Sequence, residues 1–509
     1  MKKKEIIIIL FLLLFALPSV LPLAHHGFFL TDDGEWMIIR LSAFYQALHD
    51  GQFPVRFLQR LNLGFGYPVA EFLYPGSFYF ASFLHIIRFG FVNSIKIVYG
   101  VSLIGSGLFT YWWLSRLFSR FPSFIGALFT IYIPYHLYDV YKRGSMEVFA
   151  LLWVPFILWQ LERKNIFWVS VGISLLLLSH NTMALLFLPV LFIYSLLQKI
   201  ASIRVLITTF FLGILLASFF IIPAVFELPY TIFSQTPVSN PFSYFSDIQM
   251  IGYSVLFVLV MIIVLFLLKR KRINKYKATT IFFFIISLCA LFLSTSLSSV
   301  LWHLPQARLI QFPFRILSYF VISIAFLAAI IISVFKGKQQ WITGIILFSI
   351  LGCAALPYSK PASYFDNSEG YYYTNDATTT VHDEYMPLWV KQKPLNRSEQ
   401  QIVVLKTIGK VSSVTQTNKS LSFVVNMKRA SQVQVNIVYW PGWHVNLDGK
   451  STTLYVNNPR GIMTVLVPKG EHRLLFSFGE DALRFFADSV SILAFICLLF
   501  FVSRFLNKK

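Results

Sequence analysis

The sequence predicts a polytopic α-helical membrane protein with a small antiparallel β-sandwich near its C-terminus. Three observations carry that expectation. Hydrophobic residues make up 56% of the 509-residue chain and charged residues 13%, where a soluble domain carries about a quarter charged residues. Apolar runs approaching the roughly 20 residues that cross a bilayer recur along most of the chain. After Pro357 that pattern stops, and polar segments with strand-like alternation continue to about residue 480.

The formal net charge of +21 fits lysines and arginines gathered on cytoplasmic loops and at helix ends. No basic stripe is interleaved with exposed aromatics, so nucleic acid is not an expected partner. Cys289, Cys353 and Cys497 all fall within apolar runs, which argues against a disulfide framework or a cysteine metal site.

The first segment, three lysines followed by an apolar run, has the form of a signal peptide. The run Ile6 to Leu23 is longer than a usual signal core, and Ser19 to His25 contains no clean small-x-small site, so a retained first helix is expected. Lys2 to Lys4 then place the N-terminus inside and Leu30–Trp36 outside. Met37 to Asp50 has apolar residues at helical spacing, suited to a helix lying along the membrane surface. Tyr74 to Arg88 is apolar but short. As a span it would turn Arg116/Arg120, Arg163/Lys164 and the Lys269–Lys277 cluster to the outside, against the positive-inside rule. Placed at the interface, it leaves twelve expected spans, near 5–24, 92–114, 121–139, 147–161, 166–180, 182–198, 204–223, 249–268, 277–297, 313–335, 340–357 and 484–503, with both termini cytoplasmic. The parts are a transmembrane region at 1–357 with an external loop and interfacial helices at 25–91, an external sandwich at 358–480, and a last span with its cytoplasmic tail at 481–509. Within the sandwich, strands are expected at 432–439, 454–456 and 461–467, and Asp448-Gly449 marks a tight hairpin turn.

Charges at the membrane edge are costly, so each calls for a reason. Five groups fall on the external side of this topology. Asp32, Asp33 and Glu35 fit either a solvated helix-capping loop or reactive carboxylates. In Asp139–Glu147, Arg143 fits either an internal clamp with Asp139 and Glu147 or a bidentate phosphate holder. His180, in Ser179-His180-Asn181-Thr182, fits a hydrogen-bonded structural residue or the wall of a site. Trp302 to Arg315, with His303, Arg308, Gln311 and Arg315, fits interface anchoring or a clamp for an anionic headgroup. Glu71, with Tyr74 and Pro75, reads first as a plain loop. Together these groups suit chemistry in which a carboxylate activates an acceptor while cations neutralise a departing phosphate. The paired repeats and broken helices of a transporter are not visible in the sequence.

Several short motifs add a resemblance: Asp33-Gly34 with Arg40, Asp50-Gly-Gln-Phe-Pro54, Gly64-Phe-Gly-Tyr-Pro68, Tyr74-Pro75, Arg143-Gly-Ser-Met-Glu147, Ser179-His180-Asn181, Gln311-Phe-Pro-Phe-Arg315, and Tyr439-Trp-Pro-Gly-Trp443 with Asp448-Gly449. In this order they resemble the GT-C glycosyltransferases, and more closely the bacterial YfhO-like proteins and their relatives described as 6-pyruvoyl-tetrahydropterin-synthase-related membrane proteins. The resemblance runs from residue 33 to residue 449. It implies a plasma-membrane glycosyltransferase that moves a sugar, with inversion or retention, from a polyprenyl-phosphate carrier to an envelope glycan, lipid or protein acceptor on the outer face. It also implies Asp33, with Asp32 in reserve, as the base or as the holder of acceptor or metal. Arg143 and Arg315 would hold the carrier phosphate and His180 would wall the same cavity, with Glu147, Arg308, Gln311, Glu35 and Tyr74 completing the candidate binding set. Met37 stands where relatives often carry histidine. Asp32 and Asp33 alone are a thin ligand set for Mg²⁺ or Mn²⁺, so a divalent cation is left open and no other cofactor is expected. Trp440 and Trp443 fit either sugar stacking or domain packing. Two other functions would use the same residues: a flippase or transporter of lipid-linked sugars, and a non-catalytic scaffold of envelope assembly.

Overall fold

The computed structural model describes residues 3–238, 240–268, 275–406 and 409–506. Most of the Lys269–Lys277 cluster and the side chain of Arg308 lie outside what is described. Among the described residues, five segments are long and apolar enough to cross a bilayer: Lys4–Ala24, Phe91–Leu114, Pro313–Val334, Gly337–Tyr358 and Ala482–Ser503. Two bent pairs raise the number to seven if each is one span: Ile203–Leu216 with Ser218–Tyr230, bent by 70°, and Lys277–Leu293 with Ser296–His303, bent by 82°. The chain is a membrane-embedded helical protein with five to seven candidate spans, and the expectation of twelve is not met.

Helix length explains the difference. The stretches expected to span at 121–139, 147–161, 166–180, 182–198 and 249–268 contain the helices Arg120–Tyr132, Glu147–Glu162, Ile166–Ser179, Asn181–Leu197 and Tyr253–Leu267, of 13, 16, 14, 17 and 15 residues. At 1.5 Å per residue these are about 20–26 Å long, short of a hydrocarbon core of about 30 Å. Pro134, the turn Asp139–Arg143 and the extended His180 end them early. Hydropathy reads through such interruptions because the residues on either side are equally apolar.

The helix Phe320–Val334 is the centre of the bundle, with every residue from Phe320 to Ile332 buried. The outer helices instead present apolar side chains outward, among them Leu10, Phe11 and Leu14 at one end and Phe485, Ile492 and Phe500 at the other. Such surfaces suit lipid, where all backbone polar groups are satisfied inside the helix. Helix Gly34–His49 differs from expectation. Its residues Met37 to Phe44 are all buried, so it is packed inside the molecule and does not lie along a membrane surface. Helix Pro75–Ile86 has 12 residues, about 18 Å, and cannot span.

The C-terminal module pairs a five-stranded antiparallel sheet with a three-stranded one. In chain order its strands are β3 (Ile402–Val404), β4 (Gly409–Thr417), β5 (Ser420–Met427), β6 (Ser431–Val438), β7 (Trp443–Leu447), β8 (Lys450–Ser451), β9 (Ile462–Val467) and β10 (Gly470–Phe478). The sheet orders are β4-β5-β10-β7-β8 and β3-β6-β9. β7 and β8 form the expected hairpin, with Asp448 and Gly449 both at positive φ (50° and 80°), as a type I′ turn requires. The strand expected at 454–456 reduces to a bridge between Tyr455 and Thr464.

Three sets of contacts bind this module to the helices. β1 (Phe28–Phe29) pairs antiparallel with β2 (Tyr364–Phe365). Asp50 Oδ2 accepts hydrogen bonds from the backbone and side-chain nitrogens of Asn418, both at 2.7 Å. Trp440 and Trp443 are buried against Phe72 and Phe57, and therefore pack the domain interface; they offer no face for a sugar.

A buried ionic network completes the attachment. Arg56 bonds Glu71 at 3.0 Å, Glu480 at 2.8 Å and Asp488 at 3.3 Å, while Arg484 bonds Glu227 at 2.8 Å and approaches Glu71 at 3.5 Å. Glu71 therefore holds the first loop to the last helix. Removing one partner of a buried pair leaves an uncompensated charge, at a cost of about 3–5 kcal/mol. Glu71→Gln should lower the unfolding free energy by an amount of that order, measured by thermal unfolding of the detergent-solubilised protein.

Candidate functional site

The acidic loop and the turn at residue 143 are joined through their backbones. Asp32 N–H donates to Lys142 O (3.0 Å) and Asp33 N–H to Arg143 O (2.8 Å). Two glycines allow this approach. Gly144 has φ 65°, and a Cβ there would lie 2.8 Å from the Cα and N of Gly34. Thr31 Oγ1 takes the helix N–H of Gly34 at 3.0 Å, whereas Asp33 stands at the N-cap position without capping through its side chain. The capping explanation of Asp33 is thus removed, and its half-buried carboxylate points to Arg143 Nη2 at 3.7 Å.

Behind it lies a buried cluster centred on Glu147. Glu147 Oε1 accepts from Arg143 Nη1 at 2.7 Å and from Arg315 Nε at 2.6 Å, and Tyr135 donates to Oε2 at 3.1 Å. Arg143 Nη1 also bonds Asp139 at 3.1 Å. Arg315 Nη1 donates to Ile310 O and to Gln311 Oε1, the latter at 2.6 Å. Both guanidiniums rest on aromatic faces, Arg143 on Phe314 at 4.8 Å and Arg315 on Phe312 at 4.9 Å. His180 accepts the Met183 N–H at Nδ1, which assigns its ring proton to Nε2, 3.7 Å from Glu147 Oε1. Tyr74 stacks on that imidazole with centroids 4.7 Å apart.

The structure therefore brings together Asp33, Arg143, Glu147, His180, Gln311, Arg315 and Tyr74. Glu35 stands apart, accepting from Asn367 at 3.0 Å and so tying the first helix to the C-terminal module. Asp32 is exposed; partial desolvation and then the charge of Asp33 push its carboxyl up from the ordinary value. Two of the assigned roles change. Arg143 already serves Asp139 and Glu147, so it positions Asp33 more than it offers itself to a ligand. Arg315 Nη2 has no hydrogen-bond partner among the described residues, and both hydrogen bonds of Arg143 come from Nη1, its Nη2 facing Asp33 at 3.7 Å.

Two further residues lie at the edge of this cluster and were not singled out as site residues in the sequence. Arg40 lies two helical turns beyond Asp33 on the same stripe, with Met37 between them. Glu384 arrives from the C-terminal module on the segment 379–385. That segment is docked by Thr379 on Arg40, by the Tyr385 N–H on Tyr67 Oη (2.9 Å), and by Tyr385 stacking on Phe72 at 4.9 Å. Burial pushes the Glu384 carboxyl up to about 7; Arg40 and Arg315 oppose the rise and Asp33 adds to it. No local pattern around Glu384 marks it, because it reaches the site only through the docking of the module.

Two cavities, of about 800 and 690 Å³, lie elsewhere. The first is a polar cleft beside Arg397 and Arg460, and the second an apolar groove between the first helix and Gly337–Ala355 with Lys360 at its rim. Among the described residues no group of three or more His, Cys, Asp or Glu is placed to hold a metal ion. No protein-family model and no curated protein matches the chain.

Two outcomes follow from this geometry. Glu147→Gln strands two buried guanidiniums and should cost about 3–5 kcal/mol of stability, whereas Asp33→Asn, at a half-exposed contact of 3.7 Å, should cost less than about 1 kcal/mol; thermal unfolding of both variants checks the contrast. For Glu384, a folded-state value above the unfolded one means that its contribution to stability is full below about pH 4.5 and is lost as pH rises through about 7. The stability difference between wild type and Glu384→Gln should accordingly change across that window and stay level above it, as read from melting curves at stepped pH.

Proposed function

We propose that the protein is a membrane glycosyltransferase of GT-C type, similar to the YfhO-like proteins, that transfers a sugar from a polyprenyl-phosphate carrier to an envelope acceptor on the outer face of the membrane. The observation that carries this reading is a half-buried carboxylate free of capping duty, Asp33, 3.7 Å from Arg143, with Arg143 sharing its partner Glu147 with a second buried guanidinium, Arg315. Asp33 takes the proton of the acceptor hydroxyl as that oxygen bonds to the anomeric carbon. The bond from this carbon to the phosphate oxygen breaks, and the polyprenyl phosphate leaves as an anion stabilised by Arg315. Arg143 and Glu147 hold these two groups in place.

A second reading has one observation in its favour. Arg143, Glu147 and Asp139 satisfy one another, as a structural clamp would, and this fits a scaffold without chemistry. The transfer assay separates the two. Protein reconstituted in proteoliposomes with radiolabelled polyprenyl-phosphate sugars should release label from the carrier. Asp33→Asn should lower that rate at least about 100-fold, the usual scale of a lost general base, while remaining folded. Label that stays on the carrier in the wild-type protein removes the transferase reading, and label that crosses the bilayer while still carrier-linked replaces it with a flippase.

A further inference from the structure

The polar cleft on the C-terminal module holds about 800 Å³, within the range of about 300–1,000 Å³ typical of small-ligand sites. It shares no lining residue with the Glu147 cluster. Its walls are the loop 392–400, one face of the three-stranded sheet and the turn before β9. The two-residue period of a strand explains the part played by the sheet. Val433 and Val435 of β6 are fully buried in the core, so Gln434 and Asn436 alternate onto the opposite face and line the cleft. Phe65 also lines it, and the Val438 N–H donates to Phe65 O at 2.7 Å, so the cleft lies where the module meets the Asn62–Gly66 loop.

The polar groups of these walls are held in place. Asn436 is 3% exposed; its Nδ2 donates to Ser398 Oγ and Gln400 O, which ties down the loop, and its Oδ1 accepts from Gln434 Nε2 at 3.0 Å. Gln434 is thereby oriented, and its Oε1 has no partner among the described residues. On the other wall, Pro459 O accepts the N–H groups of Lys391 and Gln392, both at 2.8 Å. The Asn458 amide donates to Ile462 O at 2.6 Å and accepts the Ile462 N–H at 3.1 Å. This braced turn carries Arg460, which is exposed and forms no hydrogen bond or ion pair among the described residues.

Charge and shape then select the ligand. Lys393 is paired with Asp383 at 2.7 Å and Arg397 with Asp376, while Glu399 offsets the charge of Arg460. An anion therefore has little to gain here. What the cleft offers is an oriented amide, one guanidinium, one carboxylate and an apolar side chain, Leu395, that is 88% exposed. Sugars match that mixture. Hydroxyls on adjacent ring carbons each donate and accept, as such groups require, and the C–H face of the ring covers an exposed leucine. We propose that this cleft binds a neutral oligosaccharide, with Gln434 and Arg460 bonding its hydroxyls, Asn436 positioning Gln434, and Leu395 covered by a ring face. The binding stands apart from the proposed transfer chemistry and is measured without it.

The test is a screen of the full-length protein in detergent against an array of neutral and acidic oligosaccharides. Neutral oligosaccharides should be retained, and titration of the best-retained one gives its affinity. Gln434→Ala and Arg460→Ala should each weaken that affinity about 3- to 10-fold, the scale of one lost hydrogen bond. Arg460→Ala removes a side chain with no partner to strand, so it should melt as the wild type does; should Gln434→Ala fail to fold, Arg460→Ala decides alone. No retention across the array, or an affinity unaltered by the substitutions, overturns the proposal. Preferential retention of acidic oligosaccharides, lost as salt is raised, overturns it in favour of an anion cleft at Arg460. Binding that Arg460→Ala weakens, in a protein that transfers no sugar, keeps the cleft and removes the transferase, whereas sugar transfer without any such binding does the reverse.

Discussion

Everything in the candidate site depends on one buried carboxylate held between two guanidiniums. Glu147 opens its helix with a single oxygen bonded to both Arg143 and Arg315, the first one helical turn away and the second 168 residues further along the chain. Charges so deep are tolerated only when paired and hydrogen-bonded, and here the pairing extends to Asp139, Tyr135 and Gln311. The consequence is geometric. Arg143 cannot move without exposing Glu147, and because its carbonyl receives the Asp33 N–H, the acidic loop is held as well. The ionic core thereby fixes the Asp33 carboxylate beside Arg143, the kind of preorganisation that reactive sites require.

A second buried network does the equivalent for architecture. Arg56, Glu71, Glu227, Glu480, Arg484 and Asp488 connect the first loop, one of the bent helix pairs, the end of the β-module and the last helix. The module is consequently part of the site's enclosure and not a tethered appendage. Its segment 379–385 supplies Thr379 to Arg40 and brings Glu384 within electrostatic reach of Arg40, Arg315 and Asp33. The candidate spans and the short helices between them have a related logic: a bundle of mixed helix lengths leaves places where irregular backbone, such as Asp139–Arg143, is buried in protein.

Much of this was legible before any coordinates. The membrane class, the five long apolar segments, the change of character after Pro357 and the Asp448-Gly449 hairpin follow from local composition; of the charged groups expected together, Asp33, Arg143, Glu147, His180, Gln311, Arg315 and Tyr74 form one cluster, while Glu35 and Glu71 pair elsewhere. The misses have common causes. Twelve spans were expected because hydropathy sums side chains and is blind to where helices break, so the short helices and two bent pairs looked like straight spans. Gly34–His49 was placed on the membrane surface because periodicity shows that a helix has an apolar face but not what covers it. Glu71 looked like an ordinary loop residue because its partners Arg56 and Arg484 are distant in sequence.

The sequence alone determined the solvent in which this protein folds and the set of charged residues that had to be satisfied within it, since both follow from residue type and from the energetic cost of charge near hydrocarbon. Tertiary structure alone decided which charges are consumed and which remain available. Arg143 and Glu147 are neighbours in sequence and are spent on each other; Arg40, with neutral partners only, and Glu384, carried in from the far module, are not. The difference lies in pairing. Electrostatic compensation is set by a few ångströms of separation between side chains, and that separation exists only after the chain has folded.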